Sequence, residues 1–193
     1  MRLLMKTTES ALPILEERVR KTATVLAATL LIAACAHVSF PLWFTPVPVT
    51  LQPFAVLLLG LMLSPGMATT TMLLYLAEGA MGLPVFTPHG LGGLAQLLGP
   101  TGGYLLSYPL VAMAVSWLWR RGSRGMGRTL AITAAGSLGT LAMGAVWMMV
   151  LTHAGLSVLL AHTVLPFLPG DAVKVVAAAM LACSWQHVRT TQR

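Results

Sequence analysis

Charge is almost absent from two long stretches of this chain. Between Lys21 and Arg120 the only charged side chain is Glu78, and between Arg128 and Arg189 only Asp171 and Lys174 occur. Such stretches cannot solvate a globular surface. A soluble domain carries roughly 25% charged residues, whereas this chain of 193 residues carries 9%, with 56% hydrophobic residues. Its mean hydropathy is +0.80. Lipid is the solvent that fits, and the length allows one domain of several helices, each needing about 20 residues to cross a core of about 30 Å.

The net charge of +7 does not point to nucleic acid. Arg18, Arg20 and Lys21 abut the first apolar run, Arg120, Arg121, Arg124 and Arg128 share one loop, and Arg189 and Arg193 close the chain. Short basic flanks of this kind are topology signals. A nucleic-acid surface would need a continuous basic stripe on a water-exposed fold. Cys35 and Cys183 fall inside apolar runs and read as small packing residues. Ile32-Ala33-Ala34-Cys35 looks like a lipoprotein cleavage box, but no polar body follows it, and the reading here is a retained first span.

The chain divides into a polar segment 1–21, cytoplasmic or interfacial, and a membrane domain 22–193. Six apolar runs are expected as spans: 22–40, 51–63, 67–83, 104–119, 129–153 and 171–188. The second is too short to cross alone at about 1.5 Å per residue. The loop 41–50 before it, broken by Pro41, Pro46 and Pro48, is therefore expected to dip to membrane depth, where irregular backbone survives only if buried or lining a cavity. Gly136, Thr140 and Gly144 form a small-residue face suited to close helix packing. The stretch 156–168 reads as an interfacial or lid-like loop. Six spans with the N-terminus inside place eleven of the twelve Lys and Arg on the cytoplasmic side, leaving out Lys174. The irregular loops 41–50, 84–103 and 154–170 then all fall outside. The expected fold is an all-α membrane protein of six transmembrane helices whose outer loops form a ligand pocket.

A charge within a span costs several kcal/mol unless paired or hydrated, so Glu78, Asp171 and Lys174 are functional candidates. Asp171 follows Pro169-Gly170 and occupies the first turn of the last helix, where the helix dipole favours a carboxylate. Lys174 lies three residues on, on nearly the same face. The alternative role for this pair is a lock that only joins helices. His89 is singled out by its place in the Gly-rich outer loop. No histidine shows metal-ligand spacing, and no Walker A loop occurs, so any ATP use must come from partner chains. Trp43, Trp117 and Trp119 suit interfacial belts.

Four motifs resemble one family. Thr45-Pro-Val-Pro-Val-Thr-Leu-Gln52, Tyr75-Leu-Ala-Glu-Gly-Ala-Met-Gly-Leu-Pro-Val-Phe86, Leu98-Gly-Pro-Thr-Gly-Gly-Tyr-Leu105 and Pro169-Gly-Asp-Ala-Val-Lys174 are similar to signatures of the BioY family. These are the substrate-binding S components of energy-coupling-factor biotin transporters. The resemblance spans about residues 22 to 188. It implies a six-helix subunit that binds biotin from outside and associates with a transmembrane coupling subunit and paired ATPases. It implies no enzyme activity and no cofactor, biotin being the transported ligand. Carried over by motif, Asp171 and Lys174 would be binding residues, with Gln52, Glu78, Phe86, His89 and Tyr104 the further candidates. Asp171 can accept from the ureido N–H groups, Lys174 can donate to the carbonyl or offset the carboxylate, and Phe86 and Tyr104 can pack on the ring faces. An Ala-x-x-x-Ala face meets the coupling subunit in this family, and Ala23 with Ala27 is the matching pair. Segment 87–91, Thr-Pro-His-Gly-Leu, departs from the small-residue run of the family, and the chain has no asparagine. An S component for another solute, an intramembrane enzyme using Glu78 or His89 as base, and a proton-coupled solitary carrier relying on Glu78 and Asp171 remain as alternatives.

Overall fold

The computed structural model describes residues 2–191, with side chains described over 15–188. Arg193, one of the residues used for orientation, lies outside the described residues, and the side chain of Arg189 likewise. Six helices of 11 residues or more dominate the described chain: α1 (Arg2–His37), α2 (Gln52–Met62), α3 (Pro65–Ala80), α5 (Gly102–Arg120), α6 (Met126–Thr152) and α8 (Leu168–Thr191). Two short helices, α4 (Gly93–Leu98) and α7 (Leu156–Leu159), lie in the connections. The segments Leu15–His37, Met126–Thr152 and Leu168–Val188 are each long and apolar enough to cross a membrane. The protein is a multi-pass membrane protein. The polar N-terminal segment and the first apolar run form one continuous helix.

Helix α2 is the pivot of the bundle. Its eleven residues would reach only about 16 Å, and Ala55 to Leu61 are all buried. It packs on α1, α5 and α8, while α5 also packs on α3 and α6. A short helix is tolerated here because its neighbours, not lipid, surround it. Pro53 at its start and the Ser64-Pro65 junction after it fit the rule that proline is accepted in a first helical turn, where no N–H bond is lost. The small-residue face on α6 packs as expected. Gly136 approaches Val115 and Leu57, Gly144 lies against the Tyr104 ring, and Thr140 is buried. Side chains beyond hydrogen at the two glycines would collide with these neighbours.

Three expectations are corrected. The Pro-rich segment is not an irregular loop but an antiparallel hairpin, β1 (Ser39–Leu42) with β2 (Thr45–Thr50), so the fold is not purely α. Pairing runs Ser39 to Thr50, Phe40 to Val49 and Leu42 to Thr45. Pro46 and Pro48 fall between the paired positions, and proline, lacking an N–H, is tolerated in a two-stranded edge of this kind. The segment after α6 is not a loop either: α7 runs into a π-helical turn over Leu160–Val164. Trp119 is not interfacial. It is buried, and its Nε1–H donates to Thr129 Oγ1 at 3.1 Å, a typical way to satisfy a buried indole. Trp43, at 95% exposure, and half-exposed Trp117 do face outward.

Candidate ligand site

The site is assembled where the hairpin, the loop after α3, and the first turns of α5 and α8 meet. Asp171 and Lys174, one turn apart on α8, are 5% and 8% exposed. Lys174 Nζ donates to Asp171 Oδ1 at 2.8 Å, and Ser137 Oγ of α6 donates to Oδ2, also at 2.8 Å. An ionised carboxylate offers about four acceptor positions and an ammonium three donors. Each partner therefore keeps hydrogen-bonding capacity beyond the pair. Both line a cavity of about 40 Å³, with Gln52, Phe86, Tyr104 and Tyr108 in its wall.

The wall is braced by polar contacts that cross between elements. Gln52 Nε2 donates to the Tyr75 hydroxyl at 2.5 Å, and Thr50 Oγ1 donates to Gln52 Oε1 at 3.1 Å. Tyr75 in turn donates to the carbonyl of Val85 at 3.0 Å. One chain of bonds thus joins β2, α2, α3 and the loop that carries Phe86. The Phe86 ring meets Tyr75 edge to face, with centroids 5.4 Å apart. It also lies directly on Gly79, where a Cβ would occupy the space of the ring. Tyr104, on α5, donates to the carbonyl of Thr163 at 2.7 Å, which ties α5 to the π-helical turn. Thr87 Oγ1 donates to Ser39 Oγ at 3.1 Å, tying the loop to the hairpin.

A second, wider cleft of about 270 Å³ adjoins the first and shares Pro48, Gln96 and Thr101 with it. His89 is exposed and lines this outer cleft, not the inner cavity. Gln96 divides the two. It is 3% exposed, its Nε2 donates to Thr101 Oγ1 at 2.6 Å, and its Oε1 accepts from the Gly92 N–H at 3.2 Å. Gly92 and Gly93 have φ of +69° and +57°, conformations that glycine adopts without strain, and they turn the chain into α4.

Of the sequence-level candidates, Gln52, Phe86, Tyr104, Asp171 and Lys174 are brought to the inner cavity. Glu78 is not: it lies partly buried toward α1, accepting from Thr29 Oγ1 at 3.3 Å. It sits on the side of α3 that packs against α1, and it does not line the cavity. Gln96, Thr101, Tyr108 and Ser137 were not singled out. Gln96 is a neutral residue of the irregular 84–103 loop and Ser137 a neutral residue of an apolar run, Thr101 lies inside the Leu98–Leu105 motif without a charge or ring to mark it, and Tyr108 carries no pattern of its own. Ala23 and Ala27 are both exposed and leave a shallow strip on α1. Among the described residues no group of three or more His, Cys, Asp or Glu could hold a metal ion.

The profile of the BioY family matches residues 5–191. A probable biotin transporter BioY of Pyrococcus horikoshii is 36% identical over 138 residues, which cover 71% of this chain and 79% of that one. A biotin transporter BioY of Thermotoga maritima is 36% identical over 154 residues, covering 80% and 88%. Among solved structures, the S-component for biotin from an ECF-type ABC transporter superposes with a TM-score of 0.81 at 25% identity, covering 89% of this chain and 93% of that one.

Proposed function

The chain belongs to the BioY family, and from that premise we propose that it captures biotin for uptake across the cytoplasmic membrane as the S component of an ECF transporter. The observation that carries this reading is the buried Asp171–Lys174 pair in the cavity wall. Biotin offers two ureido N–H donors and one carbonyl acceptor. Asp171 has acceptor positions left beside Ser137 and Lys174, and Lys174 has donors left beside Asp171. Charge-assisted bonds of this kind are strong where the surroundings are of low dielectric. Phe86 and Tyr104 supply flat apolar walls for the bicyclic ring. The outer cleft lies on the path of the valerate tail, with His89 at its rim. The inner cavity of about 40 Å³ adjoins the outer cleft of about 270 Å³, and the two together approach the roughly 300 Å³ at which small-molecule pockets begin.

The topology that goes with this reading is six crossings by α1, α2, α3, α5, α6 and α8, the hairpin extending the short α2. Both termini and the 120–128 loop face the cytoplasm, as the basic residues favour. The exposed Ala23 and Ala27 then form the strip that meets a transmembrane coupling subunit, itself joined to paired ATPases. Ala23→Trp is expected to impair coupled uptake while leaving biotin affinity unchanged. Calorimetric titration of the detergent-purified protein with biotin, and with dethiobiotin and lipoate as comparison solutes, tests the central assignment. Tight binding of biotin supports it, and silence toward biotin with binding of another solute overturns it.

A further inference from the structure

Helices α5 and α6 leave a groove between them that opens away from the ligand site. It encloses about 340 Å³ and is lined almost wholly by apolar side chains. Val111, Val115 and Ile132 form its buried floor, and Leu110, Leu118 and Met143 its exposed rims. On α5 it runs from Ser107 to Leu118, about 16 Å at the helical rise. That is about half the thickness of the hydrocarbon core, the depth of one leaflet. Gly139 keeps the wall low: a Cβ there would meet only Val111, at 3.8 Å.

The end of the groove at Leu118 is basic. Arg128 lies four residues before Ile132 on the same face of α6. Its Nη2 donates to the carbonyl of Leu118 at 2.6 Å and its Nη1 to that of Ser123 at 3.3 Å. The guanidinium is thereby held at the mouth. Arg121 follows Leu118 by three residues, with its guanidinium 3.7 Å from the Trp117 ring centroid. No Asp or Glu occurs between Glu78 and Asp171, and the ion pairs among the described residues, Lys21–Glu17 and Lys174–Asp171, lie elsewhere. Among the described residues no carboxylate pairs with these arginines.

We propose that this groove holds one acyl chain of an anionic phospholipid, with the phosphate between Arg121 and Arg128. Lipid tails are as apolar as leucine, so the groove alone offers no preference for one lipid over another. The preference comes from the arginines, and basic pockets between membrane helices are established sites for anionic head groups. A single-leaflet length and a cationic mouth together fit a lipid better than a second protein helix, which would not end at the arginines. The inference rests on the topology above only for naming the cytoplasmic leaflet as the source.

The test depends on neither topology nor biotin. The purified protein in detergent is titrated with phosphatidylglycerol or phosphatidylcholine of the same acyl chains, and retained lipid is counted by native mass spectrometry. Phosphatidylglycerol is expected to be retained about tenfold more strongly. Arg121→Gln should cut that preference about fivefold, one arginine's share near an anionic surface. Gly139→Leu should lower retention of both lipids, and Arg20→Gln, at a basic flank away from the groove, should change neither. Glycerol phosphate without acyl chains should not bind. Equal retention of the two lipids overturns the proposal. So does an Arg20→Gln effect equal to that of Arg121→Gln, which would mean a diffuse basic surface, or a Gly139→Leu variant that melts normally and retains lipid undiminished. A protein that is dimeric until Gly139→Leu makes it monomeric also overturns it, since a second copy would then fill the groove. If Gly139→Leu does not fold, the Arg121→Gln and Arg20→Gln pair decides.

Discussion

The two ends of the bundle treat their cations in opposite ways. At the loop-rich end Lys174 is nearly buried and bound to Asp171, which Ser137 also supports. At the other end Arg120, Arg121 and Arg124 are exposed, and among the described residues no carboxylate reaches them. The first arrangement is closed: every charge is answered within the chain, and removing one member strands another. The second is open: among the described residues its positive charges have no opposite charge, and the surroundings must supply one. A buried pair built this way is weak evidence for stability, since apolar residues would fill the same space as well. Its presence in a cavity wall points to a ligand.

That contrast can be broken most severely at Asp171. Asp171→Ala leaves Lys174 buried and unpaired, and the expected cost is about 3–5 kcal/mol in the ligand-free protein. Reaction of the buried Cys35 with a thiol-sensitive dye during heating, in a Cys183→Ser background, reads the loss. A smaller effect is expected where the site is braced by packing rather than charge. Gly79→Leu drives the Phe86 ring off α3 and should cost about 1–3 kcal/mol by overpacking, with biotin affinity falling as Phe86 leaves the wall. The smallest effect belongs to the open end. Arg124→Gln loses only a contact over Trp119 and should shift stability by no more than about 0.5 kcal/mol. A large destabilisation there would mean that the arginine loop is closed after all.

The same contrast explains what could be read from the residues alone. Long apolar runs located the six helices of 11 residues or more to within a few residues, except that α1 begins far earlier, because composition reports a lipid environment directly. The charges of Asp171 and Lys174 stood out because a charge in an apolar run has few explanations. Neutral polar groups carry no such signal. Gln96 matters through Thr101 and Gly92, contacts that only the folded loop creates. Glu78 met the same sequence criterion as Asp171 yet faces Thr29 on α1. A charge in a span marks a need for a partner without saying which one. The hairpin was hidden because three prolines in ten residues read as a loop. The register that places Pro46 and Pro48 off the paired positions exists only in three dimensions.

In the proposed function Asp171 and Lys174 are paired for the ligand and not for the fold. The double variant Asp171→Asn with Lys174→Met separates the two, because it removes both charges and strands neither. Thermal stability without biotin and the calorimetric Kd are measured on the same preparation. The expected result is a melting temperature close to that of the wild type and biotin affinity at least a hundredfold weaker, from losing at least two charge-assisted bonds of about 1.5–3 kcal/mol each. A folded double variant that binds biotin with wild-type affinity would contradict it.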